Sequence, residues 1–457
     1  MNVEPREQIA QVNSLATAPG VMLASFAHLD EKKILRKMDL RLISMLALLY
    51  LRSFLDRGNI GMPHRPPHIT GPQFNWCLTA FFFPYCIFEV PSNLLLKRLR
   101  PSVWLPTIMV AWGLVMSLMG IVQNFHGLLV TRIFLGAAEA GLFPGVAYYI
   151  TMWYCRHEAQ TRQALFFSVA SIAGAFSGLL AFGIAHMDGV GGLAGRRWMF
   201  ILEGILTVLV ALLAYFVLAF VVYRLKYQGQ GGEERDGVQG RVSCNVWLYW
   251  GIVAPLYGIS LFLPTIIKGL GYTSSTAQLL TVPIYITASV LAIAVGYASD
   301  RYGKRSPFIL VCLCIMAVGF IMCIASSKPG VVYAGLFFAA CALYPAFAGS
   351  VTWLSNNLAG STKRAMGQAI QIGVGGLAGA MASNFYRSED APHYRLGHAL
   401  ELVFIVAGIF ALLLIAFNYR RINAKREWQL AEGGHAGYSP EEMSALSDRA
   451  MTFKYTL

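Results

Sequence analysis

The chain has 457 residues, of which 56% are hydrophobic and only 13% charged, and its mean hydropathy is +0.55. Apolar runs of about 20 residues, the length that crosses the hydrocarbon as a helix, recur along the whole sequence. This excludes a water-soluble domain and predicts an all-α polytopic membrane protein. The formal net charge of +13 does not mark a nucleic-acid partner, because Lys and Arg stand in short clusters between apolar runs rather than on one folded face.

Residues 1–40 are read as a polar cytoplasmic tail, ending in the basic stretch from Glu31 to Lys37. No apolar core followed by a small-residue cleavage site stands near Met1, so a cleaved signal peptide is not expected. Six spans are predicted near 41–60, 74–96, 103–122, 127–149, 163–186 and 198–223, which make an N-terminal half of 41–223. A polar, Gly-rich linker at 224–245 follows. Six more spans near 246–268, 276–298, 307–325, 331–354, 365–386 and 398–419 make a C-terminal half of 246–420, with a tail at 421–457.

The clusters at Lys97, Arg98 and Arg100, at Arg156 and Arg162, at Arg224, Lys226 and Arg241, at Lys363 and Arg364, and at Arg420, Arg421, Lys425 and Arg426 fall on one side of this plan, with Arg196 and Arg197 the main exception. Both termini are therefore expected in the cytoplasm. Two groups of six helices joined by a link are the plan of transporters built from repeats, whose substrate site lies near the midplane between the halves. A membrane-embedded metalloenzyme finds no support: His64 and His68 have a helical ligand spacing, but Pro66 and Pro67 between them break the helix that would aim both rings at one ion. No metal, cofactor or enzymatic activity is expected. Cys77, Cys86, Cys312, Cys314, Cys323 and Cys341 lie in or beside apolar runs and read as small hydrophobes.

The most informative stretch runs from Thr131 to Gly145, where Arg132 and Glu139 stand inside an apolar span. Seven residues apart on a helix, they share a face about 10 Å apart along the axis. Ionisable groups at membrane depth are rare and turn inward to a bundle or cavity; a structural ion pair is the alternative. The first span ends with Arg52, Asp56 and Arg57. The planar, permanently charged guanidinium suits a carboxylate, so Arg57 and Arg132 together are candidates to hold an organic anion. Asp56 and Glu139 are candidates to carry protons, since removal from water raises a carboxyl's affinity for its proton and a neighbouring Arg lowers it. Tyr85, Tyr257 and Gln371 are candidates to line the cavity, or ordinary interior polar residues satisfied by neighbours. Small-residue faces at 171–178 and 373–380 read as packing or rocking surfaces.

Three segments, Phe54 to Gly61, Arg132 to Gly145 and Gly195 to Gly204, resemble the anion:cation symporter family of the major facilitator superfamily, and the likeness covers nearly the whole chain. Trp353 to Gly360, Lys363 with Arg364, and Asp390 to His398 resemble its fungal branch, which includes allantoate, nicotinate and pantothenate permeases. In relatives the positions matching Asp56, Arg57, Arg132 and Glu139 bind the anion and couple protons. Gly296, Asp300, Arg301, Gly303, Lys304 and Arg305 match the superfamily's loop motif, which latches neighbouring helices in one access state; a solvated basic loop is the alternative.

The resemblance implies a proton-coupled symporter of a small organic anion in the plasma membrane, working by alternating access and expected as a monomer, with the proton gradient as its energy source and only the anion, protons and lipid as partners. An exporter of an acidic metabolite and a non-transporting receptor or inactive paralogue are the alternatives. The short loop after Gly61 and the short linker depart from the family pattern, and Gly376 stands where relatives often have Asn.

Overall fold

The computed structural model describes residues 35–58 apart from 37, 71–99, 101–122, 124–155, 158–192 apart from 186 and 188, 195–223, 239–432 and 450–457. The tail up to 34, the loop with His64 and His68, and the linker centre lie outside them, as do the side chains of Asp56, Arg57, Arg196 and residues 174–178. The described chain is helical throughout. A short π-helix, Asp39–Ile43, leads into α1 (Ser44–Gly58), followed by α2 (Gly71–Arg98), α3 (Pro101–Met119), α4 (Phe125–Glu139), α5 (Leu142–Trp153), α6 (Ala159–Ala185) and α7 (Gly195–Tyr223). The second half holds α8 (Gln239–Gly269), α9 (Ser274–Tyr302), α10 (Ser306–Ala325), α11 (Pro329–Asn357), α12 (Ser361–Ala382) and α13 (Arg395–Ala431).

With α4 and α5 forming a single span broken at Ala140 and Gly141, these are the twelve helices of two six-helix halves. Among the described residues nine are apolar and long enough to cross a membrane. The other three are α1, α6 and α12. All three carry interior polar groups, Arg52 and Ser53 in α1, Gln163 and Ser171 in α6, and Gln368 and Gln371 in α12, and such groups are tolerated only when faced inward. Helix α13 runs on to Ala431, past the predicted end of the second half, and α8 begins at Gln239 within the predicted linker.

Lipid supplies no hydrophobic drive for helix association, so close approach of backbones does that work. Within the first half α3 packs on α7 and α2 on α4; within the second, α10 packs on α11 and α8 on α13. Three of these crossings place glycine against glycine. A Cβ on Gly113 would lie 2.9 Å from the Gly204 carbonyl, one on Gly319 2.5 Å from the Gly335 carbonyl, and one on Gly251 2.7 Å from the Gly408 Cα. The halves meet where α6 lies along α9 and α2 along α12. The predicted small-residue face of α12 is part of that seam: Gly373 faces Glu89 and Cys86 of α2, while Gly375 faces Tyr249 of α8.

Replacing Gly319 by Leu is expected to push α10 from α11 and destabilise the protein by about 1–3 kcal/mol, the usual range for overpacking. Gly330→Leu, at a position with open space around it, is the control. Thermal unfolding in detergent should show a lower midpoint for the first variant and an unchanged one for the second.

Candidate functional site

The break after Glu139 fixes the first part of the site. Arg132 and Glu139 both lie on α4, with 5% and 2% of their surfaces exposed, and Glu139 is the helix's last residue. Gly136 between them lets α4 settle on the Phe81 carbonyl of α2, where any Cβ would collide. Ser53 of α1 donates its hydroxyl to Glu139 Oε1 at 2.5 Å, so the carboxyl is tied to the helix that carries Asp56 and Arg57 one turn further on. Arg132 stands within electrostatic reach of Cys77 of α2. Arg52, the other arginine of the first span, turns away: Nη2 donates to the Glu203 carbonyl at 2.8 Å and to Thr207 Oγ1 at 3.3 Å, pinning α1 to α7.

Between the halves lies a small cavity of about 20 Å³ with an aromatic wall. Tyr50 and Phe54 of α1, Tyr85 of α2, Tyr249 and Tyr257 of α8 and Phe347 of α11 line it, together with Gly376 of α12. Two predicted residues, Tyr85 and Tyr257, thus stand in the wall. Gln371 does not, although it is fully buried beside the lining residue Ile372 and its amide has no hydrogen-bond partner among the described residues. Arg132 and Glu139 are also outside the wall. Glu139 nonetheless adjoins it on both helices, since its partner Ser53 precedes Phe54 and Phe143, one turn beyond Glu139, is a lining residue.

Further aromatic contacts flank the cavity. Phe167 of α6 stacks on Phe347 at 4.0 Å, and Phe82 of α2 meets Tyr257 edge-on at 5.0 Å. Sequence reasoning missed Tyr50, Phe54, Tyr249 and Phe347 because aromatic residues within spans are common and only tertiary packing selects these. Gly376 fits closely against α2: a Cβ there would meet Cys86 Sγ at 3.3 Å and the Tyr85 ring at 3.6 Å.

At one face of the bundle the loop motif crosses the seam. Asp300 Oδ2 accepts from the Thr161 backbone N–H at 2.6 Å and from its hydroxyl at 2.5 Å, joining α9 to the start of α6 in the other half. Its second oxygen pairs with Arg305 at 2.5 Å. Burial lowers the Arg305 guanidinium from its ordinary value and Asp300 draws it back, so Arg305 stays a cation that answers the buried carboxylate. Gly303 caps α9 in the left-handed region at φ +63°, and Gly296 lies against Ala164 of α6. The side chains of Arg301 and Lys304 point to solvent. Thr161, and the Gln160 that accepts from Ser299 at 2.9 Å, complete this tie and have no signal in the sequence.

Residues 450–457 pack on the same face. The Arg305 N–H donates to the Leu457 carbonyl at 2.5 Å, Trp353 Nε1 donates to the Thr456 carbonyl at 2.8 Å, and Asn357 Oδ1 accepts from the Thr456 N–H at 2.8 Å. Tyr455 stacks on Tyr419 at 4.6 Å. The stretch from Trp353 to Gly360 therefore grips this segment. On the opposite face Thr79 of α2 and Ser383 beyond α12 share a hydrogen bond at 3.2 Å, and Asn384 Nδ2 donates to Thr79 at 3.1 Å.

A sequence model described as Major Facilitator Superfamily matches residues 38–383 and 246–454. The chain belongs to that superfamily. Among its relatives are an uncharacterized transporter of Schizosaccharomyces pombe, 31% identical over 99% of this chain and 95% of that protein, and an MFS-type transporter of Penicillium expansum, 33% identical over 94% and 92%. A high-affinity nicotinic acid transporter of Saccharomyces cerevisiae is 29% identical over 95% of this chain and 86% of that protein. A crystal structure of a bacterial homolog of the human lysosomal transporter Spinster, inward-facing and occupied, superimposes with a TM-score of 0.59 at 17% identity, over 82% of this chain and 96% of that one; it shows the fold alone. The chain is thus a multi-pass membrane transporter and not an enzyme.

Asp300→Asn removes the charge from the tie between α9, Arg305 and Thr161, a loss of about 1.5–3 kcal/mol for a hydrogen bond to a charged group. The population with α6 and α9 apart at this face is expected to rise roughly tenfold or more. Spin-label distances between the two helix ends should show a second, longer distance that the native chain lacks; unchanged distributions would refute the tie.

Proposed function

We propose that this transporter is a proton-coupled symporter that imports a small organic anion, a carboxylate such as a vitamin acid, an allantoate-like acid or a sugar acid, by alternating access. The observation that carries this reading is the placement of Arg132 and Glu139 on one face of α4, both buried, with Glu139 bonded to the helix that carries Asp56 and Arg57. A permanent cation and a carboxyl on one buried helix face suit an anion and a proton that travel together. Arg132 and Arg57 take the carboxylate; Glu139 and Asp56 take the proton. The aromatic wall supplies faces for the organic body of the substrate. The relative that carries nicotinic acid supports the anion class.

The proposed cycle uses two contacts as its closures. The tie at Asp300 belongs to the cytoplasmic face and the Thr79–Ser383 contact to the outer one. Opening the outer face admits anion and proton; closing it and releasing Asp300 from Thr161 lets both leave inward. The plasma membrane is the proposed site, with both termini in the cytoplasm.

Expression in a cell lacking its own carboxylate permeases, with labelled nicotinate, allantoate, pantothenate and simple dicarboxylates, tests this directly. An inward proton gradient should drive uptake of one of these acids. Arg132→Ala should lower that uptake roughly tenfold or more, as expected for loss of a charge-assisted contact. Glu139→Gln should keep exchange of the acid while losing its response to the gradient. Protein at the cell surface that takes up none of these acids under any gradient would refute the import reading.

A further inference from the structure

A second buried carboxyl lies in the other half, in a place the transport reading does not use. Glu401 of α13 has no exposed surface, and neither of its oxygens has a hydrogen-bond partner among the described residues. One turn earlier on the same face stands His398, also fully buried; its Nδ1 is 3.2 Å from the Tyr386 hydroxyl and its Nε2 has no partner among the described residues. The facing helix α8 makes room for the carboxyl. At Gly258 a Cβ would collide with Glu401 Oε1, so the side chain omitted there is the space the carboxyl occupies.

Tyr386 beyond α12 is within electrostatic reach of Glu401, and its ring meets His398, one turn from Glu401 on α13; Cys323 of α10 stands near Tyr386. Arg395, one to two turns outward, is exposed and donates to Ser327 at 3.1 Å. No cation thus answers the carboxyl among the described residues, and an ionised carboxylate so placed would be costly, whereas a neutral acid is tolerated.

Position adds a means of access. Tyr257 lines the central cavity while Gly258, its neighbour, faces Glu401, so a single helix separates the two. That helix carries Pro255 and Pro264 on either side of Gly258, and each proline removes a backbone hydrogen bond and favours bending there. We propose that Glu401, with His398 and Tyr386 beside it, is a second proton-binding site of the carrier, loaded in the closed state and discharged when α8 bends as the face carrying Thr79 and Ser383 opens. Water then enters past Gly258, the carboxyl gives its proton to that water and remains as a carboxylate, and reclosure requires a proton to return. This rests on the reading of the chain as a proton-coupled carrier.

The test uses the full chain in lipid nanodiscs without substrate and follows the carbonyl stretch of protonated carboxylic acids by infrared spectroscopy during pH titration. A band present at neutral pH should disappear in Glu401→Gln and persist in Glu139→Gln. Glutamine mimics the neutral acid in shape, so Glu401→Gln should fold with an unchanged thermal midpoint. In Thr79→Cys/Ser383→Cys, oxidation holds the outer seam shut, and the band should then persist to a pH about one unit higher, tenfold in proton affinity, than after reduction. No band belonging to Glu401 at neutral pH, or the same midpoint oxidised and reduced, would overturn the proposal. Uptake in cells that ignores the proton gradient, beside a Glu401 band that behaves as described, would instead refute the symport reading and leave the proton site standing.

Discussion

A charge removed from water must be paired, hydrogen-bonded or neutralised, and that constraint organises this bundle. Each ionisable side chain buried here has one of a few solutions, and the solution tells what the residue does. Arg52 spends its donors on the backbone and hydroxyl of α7 and so holds two helices together. Asp300 divides its oxygens between Arg305 in its own half and Thr161 in the other, which makes it a junction between halves. Glu139 is held by a serine hydroxyl, a partner that accommodates either protonation state because a hydroxyl both donates and accepts. Glu401 is surrounded by a histidine, a tyrosine and a glycine, with no hydrogen bond to its oxygens among the described residues.

The same constraint decided what the sequence could reveal. A span of apolar residues interrupted by Arg132 and Glu139 is conspicuous because each charge is expensive there, so the helix and its buried face were legible. The two-half plan followed from two groups of six apolar spans parted by a polar, Gly-rich link, and the loop motif gave Asp300 and Arg305. Thr161, by contrast, is an ordinary threonine until α6 and α9 are brought side by side, a contact between positions 139 residues apart. Arg52 and Arg57 were indistinguishable by composition; packing against α7 assigns Arg52 to structure. The aromatic wall was hidden for the opposite reason, since tyrosine and phenylalanine are at home throughout a membrane bundle. The match of Trp353 to Gly360 to a fungal pattern was legible as a pattern, and the structure supplies its occupant, residues 455–457.

Contacts between the halves stand on both sides of the small cavity. Polar contacts join the halves near the bundle's surfaces and aromatic contacts join them next to the cavity, Phe167 stacked on Phe347 toward the loop motif and Phe82 edge-on to Tyr257 toward the other face. The helices between these contacts carry prolines, Pro84 and Pro91 in α2 and Pro255 and Pro264 in α8, whereas the glycine crossings within each half are rigid by close contact. Halves that are close-packed inside can rock as bodies, the motion that repeat-built carriers use.

The account's central claim is that anion and proton cross together, and the balance point of transport measures it most directly. With the purified chain in liposomes, a fixed proton gradient is set against increasing opposed gradients of the transported acid until net flux is zero. The account predicts that the balancing acid gradient grows with the proton gradient in the native chain and becomes independent of it in Glu139→Gln. A balance point that ignores the proton gradient in the native chain would contradict it.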